Sequence, residues 1–139
     1  MSQIHVPSTF GLKTACFAVR DLINLDGWLQ LFKNNVALTN DSLLTDFLPC
    51  DFGGYAPISL AGKCGPCAKL QSGVVQFTTP VQTFPAFGAP FNDVYGAFVQ
   101  VGADWVAAIK FPFPIFSGTG NEIPVALQWQ DWALNLFLP

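Results

Sequence analysis

Charge is what this sequence has least of. Six basic and nine acidic residues stand among 139, so 11% of the chain is charged, against about 25% in an ordinary soluble domain. Arginine occurs once, at Arg20, and the net charge is −3. Binding to nucleic acid needs a cationic footprint that displaces counterions from phosphates, and this balance excludes it. Long apolar runs are missing too. The richest stretch, 94–116, is broken by Gln100, Asp104, Lys110, Pro112 and Pro114, so no membrane partner is expected from a spanning helix. The opening Met1-Ser2-Gln3-Ile4-His5-Val6-Pro7 lacks the basic start and apolar centre of a secretory signal. Synthesis in a cytoplasm is the expectation.

Histidine also occurs once, at His5. A Ser–His–Asp or Cys–His arrangement would have to reach a terminal residue, which gives nucleophilic catalysis poor support. Asp41, Asp46 and Asp51 stand in polar turns, where capping and solvation are their expected jobs, because a general acid needs a buried setting that raises its pKa. No phosphate-binding loop or dinucleotide fingerprint occurs. Neither an enzyme nor a cofactor is expected.

What is abundant is apolar surface. Hydrophobic residues make up 51%, with 14 Phe and four Trp, and the mean hydropathy is +0.41. Such a composition excludes intrinsic disorder. A chain of this length buries roughly 68–70% of its unfolded surface, so it folds without help from a metal or a disulfide. So little charge suits a surface covered in part by neighbouring chains. The plainer alternative is a monomer with a large core and a Gln/Asn/Ser/Thr surface.

Twelve Gly and 11 Pro punctuate the chain, and between them lie short runs of Val, Phe, Ile, Thr and Trp, the types that fit a pleated sheet. Many short strands with turns between them predict a mainly β, single-domain antiparallel β-sandwich, jelly-roll or immunoglobulin-like. The expected division is a lead arm over 1–26, compatible with a strand or short helix, and a sandwich over 27–139, with extended segments at both ends. Strands are expected at 28–32, 55–60, 74–78 and 94–101. The last pairs with 105–111 across Gly102-Ala103-Asp104 as a hairpin. A final strand starts at 123–127 and runs on, interrupted, to Leu136. One short helix of about two turns is expected around Leu43, Leu44 and Phe47, capped from Thr39-Asn40-Asp41-Ser42.

Two patterns invite chemistry. Cys64-Gly65-Pro66-Cys67 matches the thiol–disulfide active site of thioredoxins. The six residues after it, however, are too few for the helix that lowers the thiol pKa, and no strand–helix–strand unit surrounds it. Cys64 and Cys67 also have zinc-ligand spacing, with Cys16, Cys50 or His5 to complete a site, although a strong signature has two such pairs. The bland reading is a loop stapled by a disulfide or holding free thiols. The tryptophans Trp28, Trp105, Trp129 and Trp132 offer a sugar-stacking platform, against the commoner use of such residues in packing.

The third pattern alternates Phe and Pro. Phe111-Pro112-Phe113-Pro114 lacks ladder donors and is expected to run extended at an edge, rings outward. Phe84-Pro85-Ala86-Phe87-Gly88-Ala89-Pro90-Phe91 repeats the theme. Preorganised aromatic loops of this kind suit subunit contacts. The expected interface anchors are Phe84, Phe87, Phe91, Phe111, Phe113, Phe116, Trp129 and Trp132.

Three stretches carry a resemblance: Gly27-Trp28-Leu29-Gln30-Leu31-Phe32-Lys33-Asn34-Asn35, Thr39-Asn40-Asp41-Ser42-Leu43-Leu44-Thr45-Asp46-Phe47, and Gly54-Tyr55-Ala56-Pro57-Ile58-Ser59-Leu60. They are followed by Val75-Gln76-Phe77-Thr78, by Val94-Tyr95-Gly96-Ala97-Phe98-Val99 and by Phe111-Pro112. In this order, over residues 27–115, the chain resembles a family of small tailed-bacteriophage virion proteins. It departs from that pattern in its N-terminal lead, its cysteine loop and its aromatic tail. The resemblance implies a structural part of a phage particle, located in the virion. A capsid cement or decoration protein, a trimer around a local axis bound to the major capsid protein or other virion proteins, fits the low charge and apolar loops. A tail adaptor or a fibre and host-attachment protein is the alternative, and a thiol-redox or zinc protein the remote one.

Overall fold

A computed structural model describes residues 8–85, 88–119, 122–130 and 133–139. The described residues form the expected single β-sandwich-like domain of two antiparallel sheets and one α-helix. Its first sheet contains β1 (Gly27–Phe32), β2 (Ile58–Ser59), β6 (Asp93–Val101) and β7 (Asp104–Phe116), in the order β2-β1-β6-β7. Its second contains β3 (Ala68–Lys69), β4 (Val75–Thr78), β5 (Gln82–Phe84), β8 (Ile123–Gln130) and β9 (Ala133–Phe137). Here β8 is the hub: it pairs with β4 through Phe77–Trp129, with β5 through Thr83–Pro124, and with β9 through Leu127–Leu136.

Alternation along the strands explains the core. Leu29 and Leu31 of β1 and Ala97 and Val99 of β6 face Val75, Phe77, Phe84, Val125, Leu127 and Trp129 of the other sheet. The intervening Phe32 and Phe98 point the other way, yet they too are buried. They are covered by segment 33–48, which lays Val36 and Phe47 over them, with Trp105 at the margin. Phe47 stacks on Phe98 at 4.6 Å between ring centroids. Segment 33–48 is closed at its neck, where Lys33 N–H donates to Leu48 O (2.8 Å) and the Asn34 amide donates to Asp46 O (2.8 Å). Around Phe32 and Phe98 the first sheet is therefore covered on both faces.

Gly96 sits in the middle of this arrangement. A Cβ there would run into the Phe32 ring and the Ile109 carbonyl, so only glycine lets the ring lie flat on the sheet.

Several elements differ from expectation, each for a physical reason. The lead is not an extended arm: Thr9–Asp26 is an 18-residue helix, α1. Ser8 caps it by accepting from Gly11 N–H at 3.0 Å, and Leu12, Cys16, Val19 and Ile23 recur at helical spacing to bury one side. It leans on β4, β1 and β6, so it touches both sheets. The helix expected near Leu43 shrinks to a 3-10 turn, Leu44–Asp46. The Asp46 carboxylate turns back onto Leu43 N–H (2.7 Å), and Ser42 spends its hydroxyl on Thr39 N–H (3.0 Å) rather than on a helix end.

Strand 55–60 keeps only Ile58–Ser59, because the Tyr55 hydroxyl accepts from Leu31 N–H (3.1 Å). The tail forms two strands, β8 and β9, instead of one interrupted strand. Pro112 and Pro114 do lie within a strand, contrary to expectation, but at the outer strand of its sheet. Between the pairs Gly96–Lys110 and Val94–Ile115, residues 111–114 stand against Tyr95 alone, and a break in the ladder of this kind tolerates missing donors. Pro80 uses the same device. Residues 79–81 oppose only 126–127 between the pairs Thr78–Gln128 and Gln82–Val125.

Candidate interaction surface

Burial divides the anchors expected from sequence. Phe84 (0% exposed), Trp129 (2%) and Phe111 (5%) lie inside the main core, which corrects their assignment to an interface. All three lie on strands, Phe84 on β5, Phe111 on β7 and Trp129 on β8, and alternation turns these side chains inward. Phe84 stacks on Tyr55 at 5.8 Å. Phe113 is 80% exposed, and Phe91 and Phe116 are half-exposed with ring centroids 5.6 Å apart. Phe87 and Trp132 lie outside the described residues.

The Phe91–Phe116 pair is held from behind. Asn92 N–H donates to Ser117 Oγ (2.8 Å), Ser117 N–H donates to Asn92 O (2.9 Å), and the Asn92 amide donates to the Asp51 carboxylate (2.9 Å). Asp51 also pairs with Lys33 at 2.9 Å. Hydrogen bonds from Lys33 first, then Asn92, hold its carboxyl below the ordinary range.

A second apolar surface was not singled out by sequence. On the outward side of α1, Phe10 (81% exposed), Phe17, Leu22 and Leu25 (83%) stand in solvent. Phe10, Phe17 and Leu25 recur at intervals of seven and eight, so they share a side opposite Leu12, Cys16 and Ile23. A helix with apolar residues all round is ordinarily buried on all sides. The signal was legible in principle, since only Lys13, Arg20, Asp21 and Asp26 of these 18 residues are charged.

The cysteine loop is stapled by a disulfide, but to a partner outside the loop. Cys67 is bridged to Cys16 of α1, with Cα atoms 6.1 Å apart, and not to Cys64. Cys64 and Cys50 are free and buried. Cys64 and Cys67 are thus not a thiolate pair for zinc, and among the described residues no group of three or more His, Cys, Asp or Glu is placed to hold a metal. Cys67 leads into β3 rather than a helix, so the thioredoxin arrangement is not formed.

Arg20 and Asn24 dock the loop on α1. The Arg20 guanidinium donates to Gly65 O and to Cys64 O (3.3 Å), and Asn24 Oδ1 accepts from Cys64 N–H (3.2 Å). Desolvation pushes the Cys64 thiol up against a smaller opposing pull from Arg20. Cys50 is pushed up to about 12, again chiefly by desolvation.

The tryptophans do not form one platform among the described residues. Trp129 is in the core, Trp28 is half-exposed, and Trp105 walls a hollow of about 680 Å³ with Asn40, Ser42, Leu43 and Asp104. Its indole N–H donates to Ser42 O at 2.7 Å, which fixes the ring against segment 33–48. Trp132 is outside the described residues.

No family model, no curated protein and no solved structure matches this chain.

Proposed function

We propose that this chain is a non-enzymatic structural protein of a tailed-phage particle, a cement protein that joins neighbouring capsid subunits as a homotrimer. One observation carries the reading. A chain with 11% charge leaves the outward side of α1, the Phe91–Phe116 ring pair and Phe113 in solvent, and exposed apolar surface of this kind marks contact with other chains. The residues of the phage-family resemblance support it in another way. Gly96, from the stretch 94–99, is the seat for Phe32, from the stretch 27–35, so these motifs interlock as the frame of the first sheet. The contact surfaces lie on α1 and around Phe91, Phe113 and Phe116, and one scaffold can serve different partners through such surfaces.

The experiment is to purify particles, count copies of the protein and locate it by electron imaging. A copy number matching the capsid trimers, with density over capsid junctions, is the expected result. A few copies at the tail would transfer the protein to an adaptor or attachment role. Absence from particles, together with a freely soluble monomer, would overturn the reading.

A further inference from the structure

At the start of β7 the chain leaves the tight turn at Gly102 (φ 59°) and sets Asp104 and Trp105 beside segment 33–48. Trp105 is fixed there. Its indole N–H is spent on Ser42 O (2.7 Å), and its ring meets the buried Phe47 ring at 76°, with centroids 5.5 Å apart. That contact covers at most one face of the indole, and the side chain stays partly exposed. It borders two neighbouring hollows, one of about 680 Å³ and one of about 290 Å³, which also share Asn40 and Val106. Near the ring stand Asn40, Thr45 and Asp104, all exposed, whose side chains enter no hydrogen bond or ion pair among the described residues.

We propose that these hollows are a binding site for an uncharged glycan, with the Trp105 indole as the platform for a pyranose ring. Such a ring has an apolar face of C–H groups, which packs on an aromatic face, and a rim of hydroxyls that both donate and accept. Asn40 and Thr45 supply both functions, and the Asp104 carboxylate accepts from O–H groups. Because the indole N–H is committed to Ser42, Trp105 contributes through its ring surface alone. The larger hollow has the volume of an ordinary ligand site. Asn40 and Trp105 border both hollows, so a second sugar ring has a place beside the first, and the fitting ligand is a disaccharide or a longer chain.

The lining sets the class of ligand. Among the described residues, Asp104 is the single charged side chain at the two hollows. No cation is there to pair with a phosphate, a sulfate or a carboxylate, and Asp104 repels all three, so nucleotides and acidic sugars do not fit. A purely apolar ligand is held in a concave pocket with few polar groups, whereas this one opens to solvent and carries Asn40, Ser42, Thr45 and Asp104. None of Phe10, Leu25, Phe91, Phe113 and Phe116 lines it. The inference therefore goes beyond the cement role and stands whether or not those residues join capsid subunits.

The test titrates the full-length, nitrogen-15-labelled protein and follows the indole N–H signals by nuclear magnetic resonance, with Trp105 assigned from a Trp105→Phe variant. The probes are uncharged disaccharides built from gluco, galacto, manno and N-acetylglucosamine rings, each with its uronic-acid analogue as the acidic control. At least one uncharged probe should move the Trp105 signal saturably, with a Kd at or below about 10 mM, and its acidic analogue should bind more weakly. The double variant Asn40→Ala/Thr45→Ala alters two exposed side chains, so it should keep the parent Tm while raising the Kd at least about fivefold. Four outcomes would overturn the proposal: no saturable shift with any uncharged probe at about 50 mM, saturation at another indole with Trp105 unmoved, an acidic analogue bound as tightly or more tightly, or an unchanged Kd in the double variant. None of them bears on the copy number in particles, so the two readings fail separately.

Discussion

At the scale of single residues, Gly96 and Cys50 make the sharpest demands on their surroundings. A Gly96→Ala substitution sets a methyl group against the Phe32 ring and the Ile109 carbonyl. Overpacking of this sort is expected to cost about 2 kcal/mol, read as a lower denaturant midpoint with an unchanged slope. Cys50 gives a pH signature. Its thiol is held neutral up to about 12 in the folded chain, whereas an unperturbed thiol releases its proton near 9.0. The folded state therefore keeps a proton that the unfolded state gives up. Its contribution is fully present below pH 9 and is lost as the pH rises from about 9 towards 12. Chemical denaturation across that window should show the decline, and a Cys50→Ala variant should show less of it.

Residue-level reading of sequence succeeded where alternation decides the outcome and failed where it decides direction. Leu29, Leu31, Ala97 and Val99 could be placed on strands from pattern alone. Phe84 and Phe111 could not be told from surface anchors, because a Pro-rich stretch hides the alternation that turns them inward; Trp129 was misplaced because tryptophan serves cores and interfaces alike.

At the scale of elements, α1 depends on one cap, one buried stripe and one covalent tie. The tie closes a loop over a sequence separation of 51, for which chain-entropy arguments give about 4 kcal/mol. Reduction should therefore lower the unfolding free energy by up to that amount, measured by denaturation with and without reductant, and Cys16→Ser should reproduce the effect. Ser8→Ala should cost about 1 kcal/mol through loss of the cap. The helix was compatible with the sequence but not singled out, since its apolar residues spread around the whole wheel and blur the periodicity that marks a helix. The disulfide was hidden for a different reason. The Cys64-Gly65-Pro66-Cys67 spacing draws attention to a local pair, while Cys16 is brought in only when α1 packs across the sheets. The fold class survived these misreadings because it rests on many strands at once.

At the scale of the whole molecule, stability and assembly should separate cleanly. Replacing Phe10 and Leu25 together by Glu touches two side chains that are more than four-fifths exposed, so the isolated protein should keep its stability within about 0.5 kcal/mol. If α1 presents the contact surface of a cement protein, the same variant should fail to join particles when added to a preparation lacking the protein. Sedimentation of particles with bound protein is the measurement, and undiminished binding would remove α1 from the interface. Phe113→Glu makes the parallel test for the exposed ring on β7.

Segment 33–48, with its neck cinched at Lys33 and Leu48, acts as a lid on the back of the first sheet, and the lid's rim faces solvent. Lengthening a flexible rim is thermodynamically mild, about 0.6 kcal/mol for each doubling, provided that Val36 and Phe47 still reach Phe32 and Phe98. Insertions and grafted peptide tags should therefore be tolerated near Asn40 and Asp41, making this the natural place to hang a cargo without loosening either sheet.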